Sequence, residues 1–152
     1  MMRLLYHALA FATSARAVIT GWSMYPTLAS GEYVLFNRLA YLRRPPAKGD
    51  VVLVQGPLGK KMPLVKRVAG VPGDTVRLIQ GWATVNETPA EDETEHREHA
   101  TRPLGEDEFF LLGDAMDMST DSRSFGPVSR KTIKSRAWLV YWPLSRWRSL
   151  AG

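Results

Sequence analysis

The sequence predicts a mainly β protein, a single domain built on a bent sheet or irregular barrel, behind an N-terminal helix. Three observations carry that prediction. Residues 1–19 contain no Pro or Gly and are rich in Leu and Ala, which is a helical composition. From Gly31 onward the apolar residues recur with period two or in short runs, the signature of strands. Turns containing Gly or Pro interrupt those runs at short intervals, as in all-β folds. A chain of 152 residues is one domain long. We divide it into a helix over 1–19 and a β domain over 20–152, with an acidic surface loop at 87–107.

In the leading helix, Arg3, His7 and Ser14 fall on one side. A spanning helix needs about 20 predominantly apolar residues, and His7, Thr13, Ser14 and Arg16 interrupt this one. It reads as a poor span, and three roles fit it: an anchor lying in a membrane interface, a core-packed helix, or a short cleaved signal ending at Ala15-Arg16-Ala17. Strands follow at Glu32–Phe36, which alternates, and at Val51–Val54, an apolar run suited to burial. Leu64–Ala69 is the next, stopped by Val71-Pro72-Gly73-Asp74, where Pro then Gly suits a type II turn. Thr75–Ile79 and Trp82–Val85 flank Gln80-Gly81 as a hairpin. The charged stretch 87–107 has no apolar period and reads as a loop. Phe109–Leu112 returns as a buried strand running into Gly113-Asp114, and Ala137–Trp142 is the last strand, broken by Pro143.

Composition excludes several chemistries. Hydrophobic content of 45% with five Trp excludes a disordered chain. There is no Cys, so thiolate catalysis, disulfides and Cys-based zinc sites are ruled out. His7, His96 and His99 do not make a metal set, and no metal or cofactor is expected. The net charge of +5 is uneven: after Asp121 there is no acidic residue, only Arg123, Arg130, Lys131, Lys134, Arg136, Arg146 and Arg148. That asymmetry fits contact with anionic lipid or nucleic acid, or a plain solvated face. Trp138, Trp142 and Trp147 lie among these cations. They suit a bilayer interface, unless Trp138 and Trp142 are core residues on one strand face.

A serine at position 23, in Gly21–Leu28, matters chemically only if a base reaches it. With Cys absent and the His badly placed, the base is Asp, Glu or Lys. Lys48, Lys60, Lys61, Lys131 and Lys134 sit in turns or among other cations. Lys66 differs: strand period places it on the face of Leu64 and Val68, leaving Arg67 opposite with Val65 and Ala69. An inward lysine loses charge easily, because burial lowers its pKa from about 10.4 by up to ~3–5 units. The neutral amine can then accept a serine proton. Spacing alone also allows a lysine solvated at the rim. A third segment, Gly113–Val128, is dense in hydroxyls, carboxylates and Gly, and offers a hydroxyl to orient the amine and an Asp–Arg pair to brace it.

Together three segments resemble the type I signal peptidases, membrane-associated serine endopeptidases with a Ser–Lys dyad. Ser23-Met24-Tyr25-Pro26-Thr27-Leu28 matches the first family box, Lys66-Arg67-Val68-Ala69-Gly70-Val71-Pro72-Gly73-Asp74 the second, and Gly113 through Gly126 the third. The resemblance implies Ser23 as nucleophile, Lys66 as general base and Ser119 as the hydroxyl orienting the lysine. It assigns Asp121 and Arg123 to supporting the loop, and the backbone N–H of Ser23 to the oxyanion. Some members add a serine two residues before the nucleophile; here that position is Gly21, so the oxyanion hole rests on backbone. The Asn that often follows Gly-Asp is Ala115, and the usual membrane anchors are reduced to residues 1–19. The implied partners are precursor proteins with leader peptides and a membrane surface, with the catalytic domain on the extracytoplasmic side and no nucleic acid. Small residues, commonly Ala, are implied at the first and third positions before the cut. The alternatives are a dedicated maturation peptidase of the nickel superoxide dismutase type, which would be cytoplasmic, and a non-catalytic basic β module binding membrane or nucleic acid.

Overall fold

A twelve-residue helix, α1 (Met2–Thr13), gives way almost at once to the edge strand β1 (Ala15–Val18). The computed structural model describes residues 2–56, 62–87 and 99–150. The remaining strands in chain order are β2 (Tyr33–Asn37), β3 (Val51–Val54), β4 (Leu64–Gly70), β5 (Thr75–Ile79), β6 (Trp82–Val85), β7 (His99–Pro103), β8 (Glu108–Leu112), β9 (Val128–Ser129), β10 (Ile133–Trp142) and β11 (Arg148–Ser149). A single helical turn, α2 (Ser122–Phe125), precedes β9. The large sheet runs β1-β2-β10-β3-β4-β8-β9, with β11 added to β10, and the small sheet runs β6-β5-β7. Every pairing among these described strands is antiparallel.

Period-two alternation distributes the core, as the sequence predicts. Val51 joins Val34, Phe36, Met24 and Leu28 in one cluster, while Val52 and Val54 join Val68, Phe109 and Leu111 in another. Phe110, between Phe109 and Leu111, faces the opposite way and packs with Val76 and Leu104, fixing the small sheet to the large one. The sheet bends at β10, where register shifts fall between Ile133 and Ser135, Ala137 and Leu139, and Val140 and Trp142. Those shifts also separate the tryptophans: Trp138 is half-buried and donates from Nε1 to Ser14 Oγ at 3.1 Å, whereas Trp142 is exposed.

Two expected boundaries move. The helix predicted over 1–19 ends at Thr13, where the Thr13 and Ser14 hydroxyls donate to the Leu9 and Ala10 carbonyls at 2.8 and 2.6 Å. Such side-chain bonds compete with continued helix. Ala15–Val18 then pair in register with Phe36–Tyr33, because Ala15 and Ala17 alternate inward with Arg16 and Val18 outward. The helix-favouring Ala and Arg hide that alternation. Within the stretch 87–107, residues 99–103 form β7 on β5 through backbone pairing; residues 88–98 of that expected loop lie outside the described part. The Gln80-Gly81 hairpin forms as expected, both residues at positive φ. No helix among the described residues is long and apolar enough to cross a membrane.

Three strands are entered by one repeated device. Gly31-Glu32, Gly49-Asp50 and Gly73-Asp74 precede β2, β3 and β5, and each Gly has φ of 87°, a conformation costly for any residue with a β-carbon. In each case the acid N–H donates to the carbonyl three residues back, and the acid carboxylate accepts the N–H of that same residue: Ala29 for Glu32, Ala47 for Asp50, Val71 for Asp74. Each carboxylate then takes a cation: Arg148 and Arg146 on Glu32, Arg44 and Arg136 on Asp50, Lys48 on Asp74. Burial would raise these three acids, but the donors outweigh it and hold all three below the usual carboxylate range.

Asp50 also accepts from the Tyr41 hydroxyl at 3.0 Å, so Asp50→Ala removes the carboxylate that Arg44, Arg136, Tyr41 and the Ala47 N–H share. We expect it to cost about 3 kcal/mol. Removing the exposed partner of Asp74, by Lys48→Ala, is expected to cost under ~1 kcal/mol. Urea denaturation of the two variants checks the contrast.

Candidate active site

The loop carrying Ser23 closes on itself before anything else touches it. Ile19 N–H donates to the Glu32 carbonyl and Gly31 N–H to the Ile19 carbonyl, both at 2.8 Å, so the two ends meet. Met24 and Leu28 point inward as its apolar anchors, and the Leu28 N–H donates to the Met24 carbonyl. Trp22 and Tyr25 are left outside, ring edge to ring face at 5.9 Å. The buried Glu32 carboxylate fastens the loop to the C-terminal tail. Arg148 donates to both of its oxygens at 2.8 Å and to the Thr27 carbonyl at 2.5 Å.

Lys66 sits in the middle of β4, opposite Val52 of β3, and is 3% exposed. Its Nζ lies 2.8 Å from Ser23 Oγ. The inward face read from the strand period is the observed one, with Val68 buried beside it. Burial pushes the amine below its ordinary pKa, and the negative charges of Asp121 and Asp114 oppose that in part. The backbone N–H of Ser23 makes no hydrogen bond among the described residues, which leaves it free to meet an oxyanion beside the hydroxyl.

The loop after β8 forms the facing wall. The Ala115 N–H donates to the Ser23 carbonyl at 3.0 Å. Gly113 is required there, because a β-carbon would overlap the Ser119 side chain and lie 2.6 Å from the Ser23 carbonyl oxygen. Asp121 is fully buried, caps α2 through the Arg123 N–H, and accepts from Gly113 N–H at 3.0 Å and Arg123 Nε at 2.9 Å. Burial would raise this carboxyl, but Arg123, the Gly113 N–H and the Ser119 hydroxyl outweigh it and keep it low. Arg123 reaches onward to the carbonyls of Met116 and Gly81, joining the loop to the β5–β6 hairpin. Ser122 Oγ accepts the Leu111 N–H at 2.9 Å. Ser119 lies in the same wall; its buried hydroxyl makes no bond to Lys66 and none of close geometry, but it lies near enough to Asp121 to help hold that carboxyl low.

The sequence reading missed Asp114 and Glu32. Arg67, next to the lysine and facing the other way, makes a two-pronged pair with Asp114 at 2.8 and 2.7 Å and donates to Thr27 Oγ1 at 2.9 Å. Each missed acid follows a Gly, like Asp50 and Asp74, and that recurrence was the signal available. The basic C-terminal part, read as a contact for lipid or nucleic acid or as a plain solvated face, is largely tied into the fold. Arg123, Arg136, Arg146 and Arg148 are engaged with Asp121, Asp50 and Glu32, and Arg130 stacks over Tyr41 at 5.2 Å. Arg136, Arg146 and Arg148 hold the fold through acids far upstream, where local charge counting does not reach, whereas Lys131 and Lys134 stay exposed.

Comparison with known proteins places the chain in a family. The family described as "Signal peptidase, peptidase S26" matches residues 1–142. The chain is 36% identical over 132 residues to mitochondrial inner membrane protease subunit 1 of Schizosaccharomyces pombe, covering 86% of this chain and 74% of that protein. It is 30% identical over 147 residues to signal peptidase I of Leptolyngbya laminosa, covering 90% and 72%. Mitochondrial inner membrane protease subunit 1 of Homo sapiens is 30% identical over 126 residues, covering 83% and 68%. A crystal structure of a signal peptidase I from Enterococcus faecalis overlays with a TM-score of 0.47 at 23% identity, over 61% of this chain and 97% of that one. With a family match running through both the Ser23 loop and the Lys66 strand, this chain belongs to the signal peptidase family, peptidase S26, and is a hydrolase that cleaves signal peptides.

Proposed function

We propose that this chain removes N-terminal leader peptides from exported precursor proteins through a Ser23–Lys66 dyad. One observation carries the reading: a lysine amine buried to 3% exposure, depressed in basicity, 2.8 Å from a serine hydroxyl. In the first step the neutral Lys66 amine takes the Ser23 proton as Oγ attacks the scissile carbonyl carbon. The developing oxyanion meets the unpartnered Ser23 N–H. Collapse expels the leaving amine, which takes the proton from the Lys66 ammonium, and an ester to Ser23 remains. Water then attacks the ester as Lys66 accepts its proton, the acyl–Oγ bond breaks to release the acid product, and Lys66 returns the proton to Ser23 Oγ.

Ser119, a buried hydroxyl in the wall beside Asp121, is the group we assign to orienting the lysine when Ser23 is acylated. Asp121 and Arg123 act one step back, by fixing the loop that carries it. An extended substrate presents alternate side chains to one wall, which suits small residues at the first and third positions before the cut. We place the reaction at a membrane surface on the extracytoplasmic side, a reading supported by exposed Leu5, Leu9 and Phe11 on α1 and by Trp142 and Trp147. The relatives above are named signal peptidases and inner membrane proteases, so a single-substrate maturation peptidase is not favoured.

Purified protein in detergent micelles, given a precursor with Ala at the first and third positions, tests the dyad. Ser23→Ala and Lys66→Ala should each lower kcat at least about thousandfold; normal processing by either overturns the assignment. Activity should rise with pH through an ionisation below the ordinary lysine value of 10.5, because the amine is protonated and inert beneath it. Asp114→Asn removes a negative charge that raises the amine, so its alkaline limb should move to lower pH. An acid optimum in the wild type would exclude a lysine base.

A further inference from the structure

Beside Ser23 lies an open depression of about 440 Å³ that the dyad itself does not use. Its walls are the exposed rings of Trp22 and Tyr25 on one side and the turn Met116–Met118 on the other, with Ala115 between them. Ala115 is also the residue whose N–H holds the Ser23 carbonyl, so the depression opens next to the reacting atoms. At its rim stands Asp117, exposed and without a hydrogen bond or ion pair among the described residues. Arg123, which feels the Asp117 charge, is already taken up by Asp121 and by the Met116 and Gly81 carbonyls.

Two features set the chemistry of the occupant. The small side chains proposed for the first and third positions before the cut would leave a space of this size unfilled, and we assign it to the other side of the scissile bond. Its lining combines two aromatic faces, two flexible thioether chains and one unpaired carboxylate. Aromatic faces attract cations, methionines shape themselves to an aliphatic stem, and a long basic side chain has both a stem and a cationic head.

We propose that this depression is a specificity subsite for a Lys or Arg side chain at the first or second substrate position after the cut, with its cation held by Asp117 and the Trp22 and Tyr25 rings. The assignment rests on reading Ser23 and Lys66 as the peptidase dyad. It makes Asp117 a residue of substrate choice, distinct in effect from the residues that make bond cleavage occur.

The test is a set of peptides with Ala at the first and third positions before the cut and Ala, Leu, Lys or Glu at each of the first two positions after it. The readout is the ratio of kcat/KM values within each enzyme variant. At one of the two positions the wild type should favour Lys over Ala and Leu by about five- to tenfold, the size of an exposed ion pair plus a cation–π contact. Asp117→Asn should bring the Lys/Leu ratio close to one, and Asp117→Lys should favour Glu. In the wild type alone, 1 M salt should reduce the Lys/Leu ratio. Equal cleavage of Lys and Leu peptides, or a Lys preference that survives Asp117→Asn, overturns the subsite while leaving the dyad standing. Failure to cleave any peptide, or cleavage by Ser23→Ala, overturns the dyad and the subsite with it.

Discussion

The structure depends on keeping one amine dry. Lys66 is held at the centre of β4, out of water, against the hydroxyl it can deprotonate. Its pKa is lower in the folded chain than in the unfolded one, so between those two values the unfolded chain binds the extra proton. At neutral pH the buried amine therefore costs stability, and the cost is relieved as pH rises. Glu32, Asp50, Asp74 and Asp121 have folded pKa values below their ordinary ones. Their contribution is complete above the unfolded values and is lost as pH falls through the folded ones. Base and scaffold thus favour the same side of the pH scale.

Three remote segments meet at the amine because backbone as well as side chains tie them together. The Ala115 N–H reaches the Ser23 carbonyl, and the Gly113 N–H reaches Asp121. Arg67 spans from Asp114 to Thr27 on the face away from the lysine. Lys66 and Arg67 are neighbours in sequence and opposites in space, so one strand supplies both the reactive group and a brace behind it. A slip of one residue in β4 would exchange them.

Most of the frame was legible in the sequence, and the exceptions have physical causes. Lys66 could be read as inward because the strand period is strict around Leu64 and Val68. Ser23 on its own could not be told from a loop serine, and only the three segments together marked it. The end of α1 was hidden because Ala15-Arg16-Ala17 has the composition of a helix and the alternation of a strand. β7 was hidden because backbone pairing needs no apolar pattern. Trp138 and Trp142, which could be read as core residues of one strand face, differ in burial, and the register shifts of β10 around them are encoded in no propensity. The role of the basic tail depended on acids elsewhere in the chain, and pairing at that range has no local signature.

Arg148 has a consequence for the life of the molecule. Arg148, which braces the Ser23 loop through Glu32 and Thr27, follows Thr27 by 121 residues. A growing chain therefore carries its nucleophile through all of that interval without the brace that holds the loop in its final shape. The loop is finished by a residue that is made long after it.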